Sequence, residues 1–182
     1  MSYRNYTEVL TLCTAGQMLN WDVDCVNTAS LDVRLGNTVL VERQPQRGAH
    51  PLDYRRRDQM QMDEVDISGG FILRPNHFIL AHTIEQCNFA DDLAALFRIK
   101  SSMGRIGLEH MDAGWVDPGF HGALTLEFKN LSQYHEILLR PGDRIGQLVF
   151  FQGTPVRPEQ SYRTTGNYNG AAGVRQAGFA EP

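Results

Sequence analysis

A glutamate stands out in the stretch DPGFHGALTLEF, residues 117–128. The alternation predicts a strand whose apolar face carries Leu124, Leu126 and Phe128. The other face would carry Ala123, Thr125 and Glu127. If that face is solvated, the glutamate needs no special explanation. If it lines a pocket, the carboxylate could accept a proton from water and return it, which is general acid–base catalysis.

A second group of chemically useful side chains lies in KSSMGR, residues 100–105. Lys100, Ser101, Ser102 and Arg105 would come together at the start of a short helix, with Ser101 as its N-cap. Hydroxyls, backbone N–H groups and cations are the donors that phosphate oxygens bind. A capped helix with two surface cations would have the same composition, so the stretch alone does not decide.

Several catalytic motifs are absent from the sequence. It contains no G-x-x-x-x-G-K-[ST] loop, no G-x-S-x-G, no H-E-x-x-H, and no H-x-E with the P-C-x-x-C of zinc deaminases. The six histidines are scattered through polar segments, a distribution typical of surface residues, and we expect no protein-bound metal. Cys13, Cys25 and Cys87 form no C-x-x-C, and we expect buried, reduced thiols.

The composition is that of a globular protein and narrows the choice of partners. The chain has 182 residues, of which 42% are hydrophobic and 21% charged, and residues 1–182 are predicted to form one domain. The net charge of −4 argues against nucleic acid as a partner, but not against a phosphorylated small molecule. Neither a signal-like start nor an apolar run of membrane-spanning length is present, so we expect a cytoplasmic protein without a membrane partner.

The elements that must position these side chains are mostly short strands. A short helix is predicted within the first twenty residues. Two segments predict strand pairs around turns, at Gly36-Asn37 and Pro75-Asn76, and a third predicts two strands around a turn at Pro141-Gly142-Asp143. Residues 90–97 fit either a helix or a strand, and the polar residues 43–66 would form a functional loop or a cover over the sheet. This pattern favours an all-β barrel or sandwich.

Five stretches of the sequence form an ordered set between about Ala29 and Phe151. They are ASLDVRLGN, FILRPNHFILAHTIE, KSSMGRIGL, AGWVDPGFHGALTLEFKN and RPGDRIGQLVFFQ. Together they resemble the successive signature blocks of the dCTP deaminase family, in the family's order and with similar spacing. The resemblance implies a dUTPase-like distorted β-barrel of the β-clip type with short helices. It also implies a homotrimer with active sites between subunits.

The resemblance implies dCTP as the substrate, with dUTP as an alternative, and a triphosphate that brings Mg²⁺ with it. Glu127 falls on the family's catalytic glutamate, which acts without zinc. A buried carboxylate can take the proton of the attacking water and return it to the departing nitrogen. Ser101 could orient that water or hold the developing oxyanion. Family positions that bind substrate are matched by Lys100, Ser101, Ser102, Arg105, Asp117, Thr125, Leu126, Gln147 and Tyr162.

The end of the chain departs from the family pattern. From Gly153 onward the sequence is rich in glycine, asparagine, threonine and alanine, and we expect residues 153–182 to form a mobile closing tail. Asn167 stands where family members carry a lysine, and Ala171 where they carry a glutamine. Arg163 or Arg175 would have to replace these contacts.

The function predicted first is the deamination of dCTP to dUTP and ammonia, and three alternatives stay open. AGWVD is similar to the A-G-F-I-D of bifunctional members, which also release pyrophosphate and give dUMP. It is less like the A-H-R-I-D of members that stop at dUTP. A dUTPase-like pyrophosphatase, with Asp117 activating the water, is disfavoured by the TLE segment that contains Glu127. The altered tail alone would support a trimer that binds nucleotides without turnover.

Overall fold

Short strands dominate the protein, whose computed structural model describes residues 3–45, 48, 51–53 and 60–177. The prediction of an all-β protein with short helices is confirmed. The helices are α1 (Tyr6–Thr14), α2 (Ser101–Arg105) and α3 (Tyr162–Thr165). The strands are β1 (Met18–Leu19), β2 (Leu31–Arg34), β3 (Thr38–Glu42), β4 (Met62–Asp66), β5 (Phe71–Leu73), β6 (Phe78–Asn88), β7 (Leu93–Ile99), β8 (Leu108–His110), β9 (Trp115–Val116), β10 (His121–Asn130), β11 (Ile137–Leu139) and β12 (Arg144–Gln152).

Within the described ranges these strands form three antiparallel sheets. The largest has the order β4-β3-β6-β10-β8, with β1 also paired to β6, and the second has the order β2-β12-β7-β9. The third consists of β5 and β11. The two larger sheets share one hydrophobic core, in which Leu126 and Phe128 of β10 belong to the same buried cluster as Phe97 of β7 and Leu148 of β12. Strand β10 therefore forms one wall of the core.

The two predicted hairpins are wrong, because β2 pairs with β12 instead of β3, and β5 pairs with β11 instead of β6. The two strands predicted around the third turn are confirmed as β11 and β12, although β12 pairs with β2 and β7. A turn signal marks where a strand ends, but the partner is the strand that buries the same apolar face. Gly36 illustrates this, because an added Cβ would lie 2.1 Å from the His82 ring of β6. Close packing against β6 therefore requires a glycine at position 36.

The structure also gives the ends of two helices and the conformation of the two ambiguous segments. Helix α1 has a capping box, in which Asn5 accepts from the Glu8 N–H at 3.2 Å and Glu8 accepts from the Asn5 N–H at 3.0 Å. Helix α2 begins one residue earlier than predicted, because Lys100 rather than Ser101 occupies its N-cap position. Residues 90–97 contribute to strand β7, and the polar segment 43–66 ends in strand β4, which pairs with β3.

The prediction of buried, reduced thiols is confirmed. Cys13, Cys25 and Cys87 are all free and buried. Burial raises the pKa of Cys13 to about 12, so its thiolate is scarcely populated at neutral pH. Among the described residues, no helix has the length and apolar character needed to cross a membrane.

Candidate active site

A cavity of about 510 Å³ lies against β10, on the side opposite the core. The cavity is lined by four of the residues that the sequence predicted to contact the substrate or the attacking water: Asp117, Thr125, Glu127 and Tyr162. The Glu127 face of the strand therefore lines a pocket, which is the setting in which a carboxylate can do chemistry.

A β-bulge in β6 lies opposite Leu124, which also lines the cavity. The register of β10 against β6 shifts between Ala123 and Thr125, and the Leu124 N–H donates to Thr83 Oγ1 at 3.0 Å. The extra residues lie on β6, since Ala123 pairs with Gln86 and Thr125 with His82, so the alternation of β10 continues. Leu124 is half-buried, packs against the core on the predicted face and also contacts the cavity.

The Glu127 carboxylate lies between the cavity and a buried histidine. Its side chain is 28% exposed, and its Oε2 lies 3.2 Å from Nε2 of His110, whose side chain is 5% exposed. The His110 ring centroid is 4.6 Å from that of Phe97 and 5.9 Å from that of Phe128. We expected a surface histidine here, and that expectation is wrong because β8 pairs with β10 and places the ring in the core. The local sequence Glu-His-Met carries no signal of this burial.

The second carboxylate in the cavity is held by an indole. The Trp115 Nε1–H donates to Oδ1 of Asp117 at 2.9 Å. The Trp115 ring stacks on Phe151, with centroids 6.3 Å apart. One oxygen of Asp117 is thus oriented by Trp115. The sequence does not predict this contact, because Trp-Val-Asp is not a pattern that marks a tryptophan as the hydrogen-bond donor to a carboxylate.

Thr125 and Tyr162 contribute neutral polar groups. The Thr125 hydroxyl accepts from the backbone N–H of Arg175 at 3.1 Å. The Tyr162 ring packs against Phe120 at a centroid distance of 5.6 Å, and burial raises the pKa of its phenol above the usual value. Tyr162 therefore remains a neutral donor and acceptor at physiological pH.

The predicted phosphate-binding residues do not line this cavity within one chain. Lys100 forms an ion pair with Asp32, whose side chain is 1% exposed. Ser101, Ser102 and Arg105 are exposed on α2. Within one chain, the predicted triphosphate-binding residues and Glu127 therefore do not share this cavity.

Two further predicted residues also lie outside the cavity. The Leu126 side chain is 1% exposed and belongs to the core, so any contact with a base would have to come from its backbone. Gln147 lies on β12, where its Oε1 accepts from the Ser30 hydroxyl at 3.3 Å.

The tail adds a short backbone pairing to β10. The Gly170 N–H donates to the His121 carbonyl at 2.8 Å, and the Ala123 N–H donates to the Ala171 carbonyl at 2.7 Å. Gly122 permits this approach, because an added Cβ would lie 2.7 Å from the Ala171 nitrogen and its φ is +120°. Residues 171 and 175–177 then form part of the cavity wall.

The two tail arginines have different surroundings. The Arg163 guanidinium donates to the Phe89 carbonyl at 3.2 Å and so supports the fold. Arg175 lines the cavity. Of the two, Arg175 is therefore placed to replace a missing cationic contact. No group of three or more histidine, cysteine or acidic side chains that could hold a metal occurs among the described residues.

Comparisons with known proteins agree on one family. The family model described as dCTP deaminase-like matches residues 7–153. A relative from Sulfurihydrogenibium sp., named "dCTP deaminase, dUMP-forming", is 39% identical over 156 residues, covering 82% of this chain and 80% of the relative. A relative of the same name from Persephonella marina is 40% identical over 151 residues, with coverages of 82% and 80%. The solved 2′-deoxycytidine 5′-triphosphate deaminase from Agrobacterium tumefaciens matches with a TM-score of 0.66 and 25% identity, over 83% of this chain and 48% of that one.

We predict that Gly122→Ala releases the tail from β10. The new methyl group would collide with the Ala171 backbone, and losing these hydrogen bonds should raise the rate of trypsin cleavage after Arg175 roughly tenfold. Gly173→Ala is the matched control, because no atom outside its chain neighbours lies within 4 Å of the added Cβ. Equal cleavage of both variants at the parent rate would contradict the role of this pairing.

Proposed function

The chain belongs to the dCTP deaminase-like family of enzymes, and on that premise we propose that it converts dCTP to dUMP, ammonia and pyrophosphate. The relatives named above are dUMP-forming. This supports the bifunctional alternative better than the first prediction, which stopped at dUTP. The observation in the structure that carries the proposal is that Glu127 and Asp117 line one cavity.

Glu127 serves the deamination. The attacking water gives its proton to the carboxylate as its oxygen bonds to C4 of cytosine. The proton then passes to the nitrogen that leaves as ammonia, so dCTP and one water give dUTP and ammonia. Glu127 can do this because its side chain reaches the cavity while its strand is held on both sides by β6 and β8. Ser101 would orient the water from α2.

Asp117 serves the second hydrolysis. A second water attacks the α-phosphorus, and the leaving group is pyrophosphate, so dUTP and one water give dUMP and pyrophosphate. The Trp115 indole holds one Asp117 oxygen, which fixes the direction from which the carboxylate meets this water. Magnesium prefers oxygen ligands, and Asp117 offers one beside the expected triphosphate. When bound, Mg²⁺ would neutralise part of the phosphate charge.

A complete site requires a second copy of the chain. Lys100, Ser101, Ser102 and Arg105 are needed for the triphosphate but do not line the cavity that holds Glu127. A homotrimer in which α2 of one copy faces the cavity of its neighbour would unite the two groups. Ile72 and Leu138, which pair across β5 and β11, are exposed and add apolar surface for contact between copies.

We predict that Glu127→Gln abolishes ammonia release from dCTP. An amide cannot accept the proton of the water, so kcat should fall by at least about 10²–10⁴-fold while nucleotide binding persists. Glu109→Gln is the control, because Glu109 is an exposed residue of the neighbouring strand β8. Turnover of the Glu127 variant within a few-fold of the parent would rule out this base.

We predict that Asp117→Asn separates the two reactions. Ammonia should still be released, but dUTP should accumulate, with pyrophosphate release reduced by about 10²-fold or more. Chromatography of the nucleotides after complete deamination measures the ratio of dUTP to dUMP. Asp112→Asn, in an exposed loop, is the control. If the parent protein gives dUTP alone, the bifunctional proposal fails and the deaminase proposal stands.

The shared site predicts complementation between two inactive variants. Glu127→Gln removes the base and Arg105→Ala weakens the triphosphate site, so each variant alone should be nearly inactive. Random reassembly of equal amounts should leave about a quarter of the sites with both parts intact. Light scattering should give a trimer. Failure to recover activity from reassembled mixtures, or an active monomer, would contradict the shared site.

A further inference from the structure

A buried contact behind Glu127 is not used by the proposed reactions. His110 Nε2 and Glu127 Oε2 are 3.2 Å apart. Both atoms are buried, and neither makes a hydrogen bond of good geometry to any other group. The distance is that of a hydrogen bond, but the alignment is not. Buried polar atoms without partners are costly, so two that face each other are best explained by a bond that forms in another state of the site.

We propose that His110 is a positioning residue for Glu127, an inference that rests on the proposed role of Glu127 as the base. The neutral ring donates its Nε2–H to Oε2 of Glu127 once substrate occupies the cavity. Hydrogen bonds of catalytic groups are often long or poorly aligned in the free enzyme and tighten in the complex. The bond holds one carboxylate oxygen, and Oε1 is then left to take the proton of the water.

The fold fixes the ring in the required place. Strand β8 pairs with β10 so that His110 lies opposite Phe128, the residue after Glu127. The Met111 N–H donates to the Glu127 carbonyl at 3.1 Å, which ties the end of β8 to the same point of β10. Phe97 and Phe128 restrict the imidazole from two sides. Packing, rather than solvent, therefore sets the direction of Nε2.

The His110 ring packs between Phe97 and Phe128 and its Nε2 faces the Glu127 carboxylate. The titratable groups that share the cavity with Glu127 are Asp117, Tyr162, Tyr168 and Arg175. A donor to Oε2 stabilises the charged form of Glu127, which is the form that acts as a base.

His110→Phe tests this role, because it retains an aromatic ring and removes the donor. We expect kcat for ammonia release to fall about 10–10²-fold with KM within a few-fold of the parent. The acidic limb of the kcat–pH profile should move to higher pH. His110→Gln, which keeps an N–H donor, should recover part of the loss. His135→Phe, at an exposed position, should match the parent.

The alternative is that His110 only fills space in the core. In that case His110→Phe would leave the pH profile unchanged, and His110→Gln would do no better than the phenylalanine. Either result overturns the proposal. Glu127→Gln is measured in parallel, since its full activity would refute the base itself. Loss of ammonia release from Glu127→Gln, combined with an unshifted His110→Phe profile, refutes only the positioning role.

Discussion

The structure depends on the register of β10 between β6 and β8. One face of this strand packs Leu126 and Phe128 into the core, and Glu127 points to the other side, where the cavity lies. Because side chains alternate along a strand, a slip of one residue would exchange the two faces and bury the carboxylate. The apolar residues that stabilise the fold therefore also aim the candidate base. Stability and function are set here by the same hydrogen-bonded ladder.

Part of this arrangement is predictable from the sequence because it is local. The period of two places Thr125 and Glu127 on one face, and the structure places both in the cavity. The bulge opposite Leu124 could not be predicted, because it involves Thr83 of β6, which is distant in sequence and accepts from the Leu124 N–H. The burial of His110 could not be predicted, because a strand of three residues is too short for periodicity to show which side chains are buried. The strand partners were predicted wrongly for a related reason, because each strand pairs with a segment that is remote in sequence.

The tail contributes to the site through its backbone. Ala171 stands where the resemblance implied a glutamine, and its carbonyl accepts from the Ala123 N–H. A backbone contact does not require a particular side chain. The small methyl group suits the crowded approach to Gly122. A cationic contact from the tail would have to come from another position, and Arg175 is the arginine of the tail that reaches the cavity.

Two carboxylates in one cavity can perform different tasks only if their surroundings differ. Glu127 lies against a histidine held between aromatic rings, whereas Asp117 is oriented by an exposed indole. A triphosphate beside Asp117 would add negative charge. Among the described residues that line the cavity of one chain, only Arg175 is cationic. Lys100 and Arg105 at α2 do not line the cavity of their own chain, so a reaction on a triphosphate needs further positive charge that one chain does not place there.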